Sequence, residues 1–365
     1  MEPIRNRDSD ARAAQPRPAG SRAERDLEVQ RPEGLYCPPG DFFIDPWRPV
    51  ERAVITHAHA DHARAGHRRY VAAVDCAALM RARLGALSVH GLQWGETLPV
   101  NGVRVSLHPA GHVLGSAQVR LEAGGRVWVV SGDYKLEADA SCGAAFEPLR
   151  CDVFVTESTF GLPVYRWAPQ RAVFDEIDHW WQANAEAGRT SVLYCYALGK
   201  AQRVLAGVNP DIGPLLCHGA IEPINAVYRA QGIALAPTLH ATRTGDPAVM
   251  RRALVLAPPS AAGSTWMRRF GTCSDAFASG WMQLRGARRR RAVDRGFVLS
   301  DHADWPGLHA AIAATGAARV VVTHGHVDTM VRWLEECGFE AQAFRTEYGD
   351  DDPDAAAPAP DREQP

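Results

Sequence analysis

Apolar and polar positions alternate with a period of two along Val103–His108 and again along Ala117–Glu122. That pattern predicts strands with one buried face. A second apolar run, Arg126–Ser131, follows Ala117–Glu122 across Gly124-Gly125, and the glycine pair predicts a tight hairpin. Asp152–Thr156 reads as a further strand, and Val54-Ile55-Thr56 as a short buried one. From about Pro163 the pattern changes. Val173, Phe174, Ile177, Trp180 and Trp181 recur at spacings of three and four, which predicts one amphipathic helix over Gln170–Gly188. Ser191–Tyr196 reads as a strand, Gly199–Leu205 as a helix start, and Ala253–Ala257 as a strand running into Pro258-Pro259-Ser260. Phe297–Leu299 and Val320–Thr323 are strands around a helical Trp305–Ala314. The class is α/β, with 29–162 as the first part of a main domain, 163–295 as an insertion and 296–348 as the return segment. Residues 1–28 and the acidic stretch 349–365 show no periodicity and are expected to be disordered.

With 365 residues, 46% of them hydrophobic, the chain can bury a large core. No stretch approaches the roughly 20 apolar residues a membrane span needs, and the first residues lack an apolar signal region, so a cytoplasmic protein with no membrane partner is expected. The eight cysteines form no Cys-x-x-Cys pair. This argues against a disulfide framework and a cysteine zinc site, and leaves them as small buried hydrophobes. A net charge of −2 taken alone argues against a nucleic-acid partner, yet 349–365 carries six acids against one base. The rest of the chain is mildly basic, so the total does not decide the question.

Chemistry concentrates where Val54-Ile55-Thr56 runs into His57-Ala58-His59-Ala60-Asp61-His62. Four ligand-type side chains within six positions, on a loop at a strand end, can serve two metal centres, and imidazole with carboxylate suits zinc, manganese or iron. A polar turn with a helix cap at Asp61 is the bland alternative. Further ligand types follow in order: His112 between Gly111 and Gly115, Asp133 in Ser131-Gly132-Asp133, and His324 in Thr323-His324-Gly325-His326.

These residues resemble the metallo-β-lactamase superfamily. Glu157 in Thr156-Glu157-Ser158-Thr159, His302 in Ser300-Asp301-His302-Ala303-Asp304, His324, and Tyr196-Ala197-Leu198-Gly199-Lys200-Ala201-Gln202 resemble its β-CASP branch of nucleic-acid processing enzymes. The resemblance spans about Leu35 to Tyr348. Tyr36-Cys37-Pro38-Pro39-Gly40-Asp41 through Asp45-Pro46-Trp47 is similar to bacterial DNA-ligase-associated exonucleases, relatives of messenger-RNA 3′-end processing factors. The fold this implies is a four-layer αββα sandwich with an inserted α/β β-CASP domain. The resemblance further implies that His57, His59 and His112 hold one divalent metal and Asp61, His62 and His324 the other, with Asp133 bridging. The metals would be zinc, with manganese as an alternative. Asp45 would orient a ligand histidine, while Glu157 and His302 join Asp133 in catalysis, His302 protonating the leaving group.

The activity implied is a two-metal phosphodiesterase, foremost a DNA exonuclease in end processing and repair, in association with a DNA ligase. An RNA-processing nuclease is the alternative, because histidine at the position of His324 marks RNA-acting members. A non-catalytic scaffold is disfavoured by the complete ligand set, and a small-molecule esterase by an insertion that would roof the cleft. Arg285, Arg288, Arg289, Arg290 and Arg291, with Arg295, are the candidates for backbone phosphate contacts, although such runs are usually solvated faces. His108 and His326 are read as structural, Asp75 and Asp301 as caps or turn residues, and His67, His90, His179, His218, His240 and His309 receive no role.

Overall fold

The structure is a computed structural model, and residues 26–346 are described. The expectation of disorder at 1–28 and 349–365 lies outside them except at 26–28, which are placed: Leu27 and Glu28 are buried and Asp26 pairs with Arg319 at 2.8 Å.

Nineteen strands among the described residues form three sheets. The first comprises β1 (Val29–Arg31), β2 (Gly34–Cys37), β3 (Phe42–Ile44), β4 (Arg52–Val54), β5 (Arg69–Ala73) and β6 (Val89–Leu92), in that order. Helix α1 (Val74–Leu84) connects β5 to β6 and packs on both. The second sheet opens with β7 (Thr97–Val100), β8 (Val103–Pro109), β9 (Ala117–Ala123) and β10 (Arg126–Val130), all antiparallel neighbours, and continues into β11 (Val153–Ser158), parallel to β10. Gly124 and Gly125 both take positive φ in the turn between β9 and β10, as the primed hairpin turn requires.

After α2 (Gln170–Glu186) the chain builds the third sheet. Its parts are β12 (Thr190–Tyr194), α3 (Lys200–Gly207), β13 (Leu215–Cys217), α4 (Glu222–Ala230), β14 (Leu239–His240), α5 (Pro247–Met250), β15 (Leu254–Ala257), β16 (Cys273–Ala278), α6 (Arg285–Arg291) and β17 (Arg295–Phe297). Every pairing in this sheet is parallel. Its central strands β12 and β15 are buried throughout, which is why they read as unbroken apolar runs. The strand expected at Phe297–Leu299 lies two residues earlier and pairs with β16. The chain then returns through α7 (Trp305–Thr315), β18 (Arg319–Gly325), α8 (Val327–Glu336) and β19 (Glu340–Ala343), with β18 inserted between β11 and β19.

One apolar cluster joins the first two sheets, bringing Val54 and Ile55 together with Val105, Leu107, Val119 and Val155. Another places Leu308, Ile312 and Met330 of α7 and α8 against Phe154, Val320 and Val322 of the second sheet. The third sheet has its own core around Ile177, Trp181, Leu193 and Leu256. The molecule is thus a mixed α/β fold. His57 and Asp133 follow the C-terminal ends of β4 and β10, and Glu157 and His324 are the penultimate residues of β11 and β18. No helix among the described residues is long and apolar enough to cross a membrane.

Candidate metal centre and its histidine–glutamate pair

The chain leaves β4 under tight control. Ile55 N–H donates to Val71 O at 2.8 Å, and Thr56 O accepts from Ala117 N–H at 2.8 Å. His57 and His62 are thereby turned into the interior, with exposures of 0% and 2%. Gly132 makes room: a Cβ there would stand 2.7 Å from that of Thr56. Asp133 follows it, buried, with a carboxylate oxygen 3.4 Å from both His57 Nε2 and His62 Nε2 and 3.8 Å from His112 Nε2.

Ligand-type atoms of His57, His59, His112 and Asp133 all lie within 4.8 Å of one another, as do those of His57, Asp61 and His62. His324 belongs to neither group. Its ring stands 5.2 Å from that of His62, on a backbone of positive φ (55°) where β18 ends.

The outer nitrogens of the histidines decide whether these groups suit a cation. His112 Nδ1 faces Asp301 O at 2.9 Å, and a carbonyl only accepts, so Nδ1 carries the proton and Nε2 presents a lone pair inward. His59 Nε2 faces Leu198 O at 3.1 Å, which leaves its Nδ1 bare. Thr56 Oγ1 donates to Asp45 Oδ2 at 2.5 Å and so accepts from His57 Nδ1 at 3.1 Å. His62 Nδ1 faces Asp45 Oδ2 at 2.7 Å, and its buried Nε2 has no hydrogen-bond partner. The inward nitrogens of His59 and His112 are only 3.1 Å apart. Two lone pairs at that distance repel unless a Lewis acid lies between them. The donor set therefore fits divalent metal ions, and partners of this kind are what fix the tautomer of metal-binding histidines.

Electrostatics agree. Burial pushes His57 and His112 well below the usual imidazole range and also lowers His59 and His324, so all four favour the neutral form that binds metal. At His62 burial acts downward, but Asp133, Asp61 and Asp45 outweigh it and raise the group well above its ordinary value. A bound cation would take the place of that proton.

Beside the cluster stands a second constellation. His302 Nδ1 lies 2.9 and 3.1 Å from the two oxygens of Glu157, which is 1% exposed and also accepts from Tyr134 N–H at 2.8 Å. Burial opposes the imidazolium, yet Glu157 and Asp133 prevail and push His302 up to about 9. Its ring centre is 4.5 Å from that of His112.

Several contributors were not visible as site residues. Asp301, read as a cap or turn residue, is instead buried, forms an ion pair with Lys200 Nζ at 2.5 Å, and offers its carbonyl to His112. Asp75 lies in the first turn of α1, whose N-cap residue is Ala73. Arg203, 1% exposed, reaches Asp139 at 3.2 Å and His112 O at 2.9 Å. From sequence Thr56 reads only as the end of a strand, although an hydroxyl immediately before a candidate ligand histidine is the available signal. His108 contacts Ser106 and Glu147, and the His326 ring stacks on Tyr165. The arginine run forms α6, where Arg285, Arg288, Arg289 and Arg290 are exposed while Arg291 lies over the Phe277 ring.

No family model matches the chain. It is 34% identical over 320 residues to a protein of Opitutus terrae named Probable DNA ligase, a match covering 87% of this chain and 31% of that protein. It is 30% identical over 118 residues to the Endoribonuclease YSH1 of Yarrowia lipolytica, covering 32% of this chain and 14% of the relative, and matches that of Saccharomyces cerevisiae equally over the same length. The chain thus spans about a third or less of these relatives. A solved structure from Enterococcus faecalis, titled as a protein of unknown function, superposes with a TM-score of 0.53 at 11% identity, covering 82% of this chain and 80% of that one, and bears on the fold alone. These relatives, together with the motifs from His57 to His324, place the chain in the metallo-β-lactamase superfamily, in its β-CASP branch.

Proposed function

We propose that the protein is a metal-dependent nuclease: a two-metal phosphodiesterase, foremost a DNA exonuclease acting in end processing and repair. The observation that carries this is the Glu157–His302 pair set against the histidine cluster. Hydrolysis of a phosphodiester needs a proton for the departing oxygen, and a half-buried imidazolium held by a buried carboxylate is suited to give it, a contribution of roughly 10²- to 10⁴-fold in rate. His57, His59 and His112 would hold one cation, Asp61, His62 and His324 the other, with Asp133 between them. Zinc or manganese, when bound, supplies Lewis-acid charge at the phosphate and an acidified water. Asp45 holds the His62 ring in place, and Arg285, Arg288, Arg289, Arg290 and Arg291 are assigned to the phosphate backbone.

We read the helix, two facing sheets and helices around residues 29–162 and 296–348 as a four-layer αββα sandwich, and 163–295 as the inserted domain. The contact of Leu198 O with His59 supports an insertion that would roof the cluster, which favours a polymer over a small ester. DNA is preferred because the relative named a DNA ligase is matched over 87% of the chain, and the endoribonucleases over 32%. Less than a third of the ligase-named protein is covered, so no ligase activity is assigned here. A cytoplasmic location and association with a DNA ligase complete the proposal. RNA is the second reading, favoured by the YSH1 relatives and by His324.

The test uses 5′- and 3′-labelled single- and double-stranded DNA and RNA, with Zn²⁺ or Mn²⁺ and with chelator. Chelator-sensitive cleavage from a DNA end is expected, and His302→Ala should keep its metal while losing about 10²- to 10⁴-fold in turnover. Absence of cleavage on every substrate with either metal would sink the nuclease reading. Loss of metal in His302→Ala would instead sink its role as acid.

A further inference from the structure

Five aromatic side chains gather beside His302, drawn from three separate parts of the chain. Phe160, Tyr165 and Trp167 follow β11, Trp281 precedes α6 in the third sheet, and His326 follows β18. Phe160 is the hub. Its ring centre lies 4.8 Å from those of Trp167 and Trp281 and 5.8 Å from that of His302. Phe160 and Tyr165 are buried, whereas Trp167 and Trp281 are only half-buried.

The arrangement is built rather than incidental. Trp167 Nε1 donates to His302 O at 3.0 Å, and Trp167 N–H donates to Asp304 Oδ2 at 2.9 Å, which fixes the indole relative to the His302 backbone. Gly280 lets the Trp281 segment close onto the hub, since a Cβ there would stand 2.5 Å from the Phe160 ring. Half-buried indoles on a rigid base give up little conformational freedom when they bind a flat partner. The surroundings are cationic: Arg166, Arg285, Arg288, Arg289 and Arg290 are all exposed nearby in sequence to these two tryptophans. A flat, π-rich group attached to a polyanion meets both requirements.

We propose that Trp281 and Trp167 form a stacking site for a nucleobase next to the scissile phosphate, so that the substrate is an unpaired strand or a frayed end. This rests on the nuclease reading above. A base inside a duplex has both faces covered by its neighbours and cannot stack on a protein ring, and only the terminal pair leaves one face open. Stacking on aromatic side chains tolerates any base, so the site selects for unpaired structure and not for sequence.

The test compares a single-stranded oligonucleotide with one carrying abasic tetrahydrofuran residues on both sides of the cut site, and with a blunt duplex. The full chain with Mn²⁺ should cut the abasic strand with KM raised about tenfold, and Trp281→Ala should raise KM for the normal strand by a similar factor and erase the difference between them. Trp281→Phe should restore most of the preference, which separates stacking from general damage to the fold. Equal kcat/KM on normal and abasic strands, or an unchanged KM in Trp281→Ala, would overturn the site. Anisotropy of the same labelled strands, measured in chelator, reads binding without cleavage. Tighter binding of the base-bearing strand in chelator, with no cleavage once Mn²⁺ or Zn²⁺ is supplied, would mean that the stacking site stands and the nuclease reading falls; equal binding would remove the site.

Discussion

Asp45 sits on a backbone of positive φ (43°), a conformation that glycine takes freely and that still costs an aspartate some energy, though less than most other residues. The strain is offset by what its carboxylate holds: Thr56 N–H at 2.8 Å, Thr56 Oγ1 at 2.5 Å and His62 Nδ1 at 2.7 Å. Asp45→Asn keeps the volume but removes the charge and replaces one acceptor with a donor. Metal affinity should fall about 10- to 100-fold, read by competition with a chromophoric chelator, because His62 is no longer held with its lone pair inward. An unchanged affinity would show that the cluster positions His62 by itself. At this scale the ligand types were legible, since four metal-binding side chains in six positions are rare. Their tautomers were not. Leu198 O and Asp301 O, which set His59 and His112, come from 139 and 189 residues away, and every residue in a chain has a carbonyl.

Among the elements, the loop after His112 touches α1 through Gly115. Its φ is +71°, and a Cβ would lie 2.2 Å from Cys76 N in the first turn of that helix. Gly115→Ala should therefore cost about 2–4 kcal/mol, from the left-handed backbone and the clash with main chain together, seen as a lower urea midpoint. Gly102→Ala is the control: φ is +85° with nothing within 4 Å, so only the backbone term of about 1 kcal/mol is expected. Equal shifts in the two variants would remove the close-approach argument. Hairpin β9–β10 and helix α2 were legible because their periodicity and turn residues are local. The strand expected at Phe297–Leu299 lies at Arg295–Phe297 instead. Short apolar runs carry no marker of which sheet they join, and pairing with β16 settled that one.

For the molecule as a whole, Arg203 of α3 ties the third sheet's helices to the loops of the candidate metal centre. Its guanidinium meets Asp139 at 3.2 Å, Gln170 Oε1 at 2.7 Å and His112 O at 2.9 Å, almost wholly out of solvent. Arg203→Ala leaves a buried carboxylate unpaired and should destabilise the fold by about 3–5 kcal/mol, measured by denaturant unfolding. A loss below about 1 kcal/mol would mean that water replaces the guanidinium. The chain's own order of residues determined the α/β class, the strand ends that carry the candidate ligands, and the side-chain types at His57–His62, Asp133, Glu157 and His302 from which the proposed chemistry is drawn. These are properties of local spacing and side-chain type. Only the tertiary structure decided which carbonyls hold the histidines, that Asp301 is a buried partner of Lys200, and that Trp281 comes to rest on Phe160. Each depends on segments more than a hundred residues apart meeting, and the free energy of such meetings comes from the packing of the whole core.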